Sequence, residues 1–216
     1  MTNWTEVLQA VRGAIAAAKD ELSRLDAAAG DGDLGLTMTA AADGAAALAE
    51  RGGLDGKTRA EALRALGMEL ARVAPSTSGT LFARGLLQAS RVSAATAADA
   101  AGDDAPASPV AEAAVLLHAA IEGIQKAGKA EPGDRTMLDA LVPAAQALQE
   151  AAARGDSPKA AAESAAQAAR EGAEATKDLE PKIGRASWIA ERARGNVDAG
   201  ARAIAVIATA IAATIP

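Results

Sequence analysis

Three aspartates, Asp26, Asp31 and Asp33, fall within eight residues in the stretch LDAAAGDGDLGLTM, and Gly32 separates the last two. Carboxylate oxygens are the preferred ligands of a hard cation such as Mg2+, which commonly shares its coordination sphere with substrate phosphates. Without a cation, two carboxylates about 4 Å apart repel by roughly 4 kcal/mol at an effective dielectric of about 20. A dication reverses the sign of that interaction. A solvated Asp-Gly turn is the plainer alternative. A calcium EF-hand is excluded, because the glutamate that must close its twelve-residue loop is missing.

Other stretches carry residues suited to phosphate. STSGT, residues 76–80, offers small hydroxyls and a glycine ahead of a helix, where backbone N–H groups bind anions; a capping turn is the plainer reading of the same residues taken alone. Walker A glycine-lysine spacing does not occur. GRAS places Arg185 on a loop, able to stack on a base or pair with phosphate, or simply to face solvent. Asp198 in VDAGA reads first as a helix N-cap. The one histidine, His118, reads as a core or rim residue rather than a catalyst, and the absence of cysteine excludes disulfides and thiolate metal sites.

The elements that must hold these residues are helical. Alanine, the best helix former, dominates the 216 residues, aromatic residues make 1% of them, and Val/Ile/Thr-rich strand patterns are missing. Trp4, Leu8, Val11, Ile15, Ala18, Leu22 and Leu25 form one apolar stripe along a first helix. Asp26 continues that stripe at the helix's C-terminal end. There a carboxylate meets both desolvation and the unfavourable end of the macrodipole, so something positive should compensate. Further helices are expected to Glu50, over 57–73, from Ser78, from Pro109 to about Lys126, and over 134–153, 157–177 and 198–213. Mostly short connections favour antiparallel neighbours, hence an all-α up-and-down bundle of seven or eight helices. Loops after the first, third, fifth and seventh helices then meet at one rim, and these are the loops with the unusual residues.

Length and the lack of a linker fit a single domain over 1–216. A net charge of −6 argues against nucleic acid as a partner. The N-terminus has no signal pattern, and the longest apolar run, AIAVIATAIAATIP, is too short to span a bilayer comfortably, so a cytoplasmic protein without membrane attachment is expected.

LDAAAGDGDLGLTM, TSGTLFARG, GKAEPGDRTMLDALVPA and ATKDLEPKIGRASWIAERARGNVDAGA together resemble the L subunit, or nucleotide-binding domain, of dihydroxyacetone kinases, in the same order and over nearly the whole chain. The resemblance implies an antiparallel eight-helix barrel with ADP or ATP and two Mg2+ ions at one rim. Asp26, Asp31 and Asp33 match its metal-binding aspartates. Leu34, Gly35, Leu36 and Thr37 match the stretch beside the nucleotide phosphates, and Thr77 and Ser78 fall on its small-residue phosphate loop. Gly128 and Met137 match positions lining adenine and ribose, Arg185 a nucleotide-contacting arginine, and Asp198, Ala199 and Gly200 the last nucleotide loop. Two positions depart from the family: Leu34 stands where histidine is common, removing a hydrogen-bond donor to phosphate, and Ala199 replaces a proline.

The implied function is the nucleotide-binding subunit of a short-ketose kinase, with glycerol metabolism as its setting. The sugar is held by a histidine of a separate K subunit, so this chain carries no catalytic residue of its own. The phosphoryl donor is free ATP or a phosphotransferase-system M subunit that recharges bound ADP. The sugar is dihydroxyacetone or a three- or four-carbon relative. Two other readings stay open: a non-catalytic nucleotide sensor of the same fold, which the departure at Leu34 supports, and a helical interaction module with solvated aspartate turns.

Overall fold

A computed structural model describes residues 3–98, 108–183 and 193–216. All regular structure among them is helical: α1 Trp4–Ala27, α2 Leu34–Glu50, α3 Arg59–Val73, α4 Thr77–Ala98, α5 Pro109–Gly128, α6 Leu138–Arg154, α7 Pro158–Ala175, a 3-10 turn Thr176–Asp178, and α8 Ala199–Thr214. Local chemistry sets most boundaries. Thr58 and Glu61 form a reciprocal capping box at the start of α3. Ser108 and Ser157 cap α5 and α7, each followed by proline in the first turn. Gly155 ends α6 in the left-handed region, with φ 73°.

Each helix packs on the next, and α8 returns to α1, so the eight close into a ring. Side-chain ties fix the antiparallel sense. Arg12 of α1 pairs with Asp43 and Glu50 of α2. Ser90 of α4 bonds the Ala60 carbonyl of α3, and Lys159 of α7 reaches carbonyls at the end of α8. Arg202 of α8 closes the ring with a two-pronged pair to Glu21 of α1, at 2.9 and 3.1 Å. Ile15, Leu22, Leu34, Met38, Ile121, Ile124, Leu138, Leu141 and Ile204 fill the interior, interleaved with alanines. The α1 stripe divides as its position dictates: Ile15, Ala18, Leu22 and Leu25 are buried, while Trp4 and Leu8 pack at the edge of a second cluster.

Small residues bring helices close. Pro143 lies inside α6 and cannot donate to the Asp139 carbonyl one turn earlier. Gly172 of α7 sits against that carbonyl, where any Cβ would collide with it. The bond that α6 lacks thus becomes a point of tight α6–α7 packing.

One boundary departs clearly from expectation. The sixth helix begins at Leu138, not Asp134. The Asp139 carboxylate accepts the N–H groups of Gly133 and Thr136, at 2.5 and 2.7 Å, and Arg135 adopts φ 61°, so residues 133–137 form a fixed turn. The alternating sense gathers the connections 28–33, 74–76 and 129–137, and the described ends of the last one, 176–183 and 193–198, at one rim, with the N-termini of α2, α4, α6 and α8.

Candidate functional site

At this rim Asp26, Asp31 and Asp33 converge, each presenting a carboxylate oxygen within 4.8 Å of the others. Asp26 is partly buried; Asp31 and Asp33 are exposed. Two local features make the convergence possible. Gly32 takes φ 78°, turning the chain so that the acids on either side face together. Gly30 leaves room for Asp26, since a Cβ there would lie 2.6 Å from Oδ1. The compensating positive group at Asp26 is the start of α2: the Leu34 N–H donates to Asp26 Oδ2 at 3.3 Å, and the positive end of that helix faces the carboxylate. Three hard oxygen donors at this spacing fit a divalent cation of the Mg2+ type.

The neighbouring residues separate into inner and outer roles. Leu34 is 4% exposed and belongs to the main core, whereas Leu36 is 59% exposed at the rim. Gly35 is buried where α1 and α2 touch, and Thr37 is partly exposed. Thr77 opens α4, with Ser78 in its first turn. Ser76 caps that helix through its Oγ, which accepts the Gly79 N–H at 3.1 Å. Gly128 ends α5 beside Leu81 of α4. A Cβ on Gly200 would lie 3.4 Å from Met137 Cβ, so the α5–α6 turn and the start of α8 meet. Asp198 caps α8, its Oδ1 accepting the Ala201 N–H at 2.8 Å, and Ala199 is buried behind it. The helix therefore starts here with alanine, not proline, at its first position. Arg185 lies outside the described residues. His118 is neither core nor rim; it is exposed midway along α5, its Nδ1 2.9 Å from the Ala114 carbonyl oxygen.

Two functional side chains escaped the sequence reading. Asp139 holds the 133–137 turn, and its signal was present: Thr136 and Asp139 have the spacing of a capping box. Arg135 gave no such signal. It is 3% exposed and donates to backbone carbonyls of Thr176, Ala193 and Asn196, two of them beyond the segment that holds Arg185.

Burial pushes the Asp198 carboxyl up to about 6 from its usual 3.8, with Asp139 adding to the rise. The Ala201 and Gly200 amides and the Arg135 charge oppose it. An acid whose pKa is higher folded than unfolded binds its proton more tightly in the native state. Its ionisation therefore costs stability above pH 6, and that cost vanishes as pH falls from 6 towards 3.8. Asparagine caps as well as aspartate and carries no charge. Urea unfolding at a series of pH values should show Asp198→Asn gaining about 2 kcal/mol on the wild type between pH 4 and 7. Parallel pH profiles would contradict it.

The fold comparison agrees with this architecture. Two crystal structures of the C. freundii dihydroxyacetone kinase superpose on the whole chain: the native form with TM-score 0.74 at 28% identity, and the complex with AMP-PNP and Mg2+ with TM-score 0.75 at 27% identity. Residues 28–213 match the model of the DAK2 domain. The chain belongs to the DAK2 family. Relatives of this DAK2 domain include the D-erythrulose kinase of Mycolicibacterium smegmatis, 38% identical over 94% of this chain and 33% of its own length. The triokinase/FMN cyclase of Rattus norvegicus is 37% identical over 96% of this chain and 34% of its length. The DAK2 domain thus spans about a third of these kinases and of the C. freundii chains. Among the described residues, no helix is long and apolar enough to cross a membrane.

Proposed function

We propose that this chain, acting as one domain over 1–216, binds ADP or ATP with two Mg2+ ions and supplies the γ-phosphoryl group, of bound ATP or of ADP recharged in place, to a short ketose held by a separate K subunit. The observation that carries the reading is the meeting of three carboxylates within 4.8 Å on a rim towards which four helix N-termini point. Such a rim suits a polyphosphate and its counter-ions, because acids hold the cations while backbone N–H groups hold the anion. The relatives' activities, as erythrulose kinase and triokinase, favour a three- or four-carbon sugar.

In this reading Asp26, Asp31 and Asp33 hold the cations. Bound Mg2+ supplies neutralisation of phosphate charge, the main requirement of phosphoryl transfer. Gly35, Leu36 and Thr37, at the start of α2, and Thr77 and Ser78, at the start of α4, offer backbone and hydroxyl donors to the phosphates. Leu34 contributes only its N–H, and that is already given to Asp26. Gly128 and Met137 line the base and ribose with Asp198, Ala199 and Gly200, and Arg185 covers the nucleotide. No side chain of the set is asked to move a proton.

Isothermal titration with Mg-ADP should give saturable heat, and unfolding should shift by about 2.7 kcal/mol at a hundredfold excess over Kd. No heat and no shift would sink the nucleotide reading. Addition of a K subunit with ATP, or with a phosphotransferase-system M subunit, should start phosphorylation of dihydroxyacetone or erythrulose. Robust turnover by this chain alone would overturn the division of labour.

A further inference from the structure

Arg135 combines burial, an unusual backbone conformation and a one-sided set of partners. Its Nε donates to the Thr176 carbonyl at 3.2 Å, and Nη2 donates to the carbonyls of Ala193 and Asn196 at 2.7 and 2.8 Å. Nη1 is buried without a hydrogen-bond partner among the described residues. The facing carboxylate, Asp198, acts on it through charge. Burying a guanidinium among neutral carbonyls is costly, and so is φ 61° in a residue with a side chain. In return, one rigid fork ties the start of the α7–α8 connection, at Thr176, to its end at Ala193 and Asn196, and both to the α5–α6 turn. Neighbouring bonds run the same way. The Thr176 hydroxyl accepts the Asp198 N–H at 2.8 Å, and Lys182 pairs with Asp134 through its backbone N–H and its ammonium, at 3.3 and 3.4 Å.

We propose that Arg135 is a positioning residue of the nucleotide site, setting the separation between Met137 and the Asp198–Gly200 turn on which nucleotide affinity depends. It rests on the nucleotide reading above and concerns a residue outside the set given there to phosphate and metal. The planar fork is essential, because a lysine ammonium is a single point donor and cannot span three carbonyls on two segments.

Arg135→Lys and Arg135→Met are compared with the wild type by Mg-ADP titration, each well below its own unfolding temperature, and by amide hydrogen exchange. Both should bind Mg-ADP at least about 10-fold more weakly, the equivalent of ~1.4 kcal/mol. Amides of Gly195, Asn196 and Asp198 should exchange at least about 10-fold faster, while α1 and α2 keep their protection. Wild-type affinity in Arg135→Lys would assign the effect to charge and overturn the proposal, as would unchanged affinity in folded Arg135→Met. Faster exchange spread evenly over all helices would also overturn it, since that marks general loosening. If neither variant folds, nitrogen-15 NMR of the wild type decides. Slowly rotating Arg135 Nη signals that shift on Mg-ADP addition support the positioning role, and one averaged signal that Mg-ADP leaves unchanged rejects it. A wild type that binds no Mg-ADP brings down the nucleotide reading itself, and the exchange data then show separately whether Arg135 fixes the connection.

Discussion

Asp31→Asn should weaken Mg-ADP binding by at least about 100-fold, roughly 2.8 kcal/mol, while leaving stability without ligand within about 1 kcal/mol of the wild type. Asp31 is exposed, and its carboxylate lies within 4.8 Å of two others, so its charge is the property at stake rather than its packing. The same change at Asp26 has a second cost. Asp26 also accepts the first N–H of α2, a bond that the amide oxygen of Asp26→Asn keeps only without its charge assistance. Calorimetric titration and thermal unfolding with and without Mg-ADP separate the two. Equal binding by wild type and Asp31→Asn would mean that the acids form a solvated turn and the cation sits elsewhere.

Gly35→Ala should cost about 3 kcal/mol of stability and, with it, at least about 10-fold in Mg-ADP affinity. A Cβ at Gly35 would run into the Lys19 carbonyl and come within 2.5 Å of Ser23 Oγ. The serine can rotate away, but the carbonyl belongs to the backbone of α1 and cannot. The two helices must separate, and they carry Asp26 on one side and the turn of Asp31 and Asp33 on the other. Gly13→Ala is the matching control. Gly13 is exposed within α1 with nothing near its absent side chain, so alanine there should stabilise by roughly 0.5–1 kcal/mol. Urea unfolding of the pair measures both, and a Gly35→Ala chain as stable as Gly13→Ala would refute the account of the α1–α2 contact.

Helix order and the shared rim were legible because the determining signals are local. Leucine and isoleucine at helical spacing marked the buried face of α1, Ser-Pro pairs marked the starts of α5 and α7, and alternation placed the loops. Asp26 was legible as an anomaly, a charge on an apolar stripe, although its counterpart proved to be a backbone N–H and a helix end rather than a side chain. Arg135 was not legible, because its role depends on carbonyls 41 to 61 residues further on, whose positions only the closed ring determines. The late start of α6 has the same origin in part: Arg135 holds a left-handed conformation that helix propensity disfavours. The burial of Leu34 could not be read from the family comparison either, since it follows from the rotation of α2 against the core.

Among the described residues the helices alternate in direction and are even in number, which bears on what can be joined to this protein. The first helix starts, and the last one stops, on the side away from the acids. A tether fused before Trp4 or after Thr214 therefore departs from the side opposite the acids.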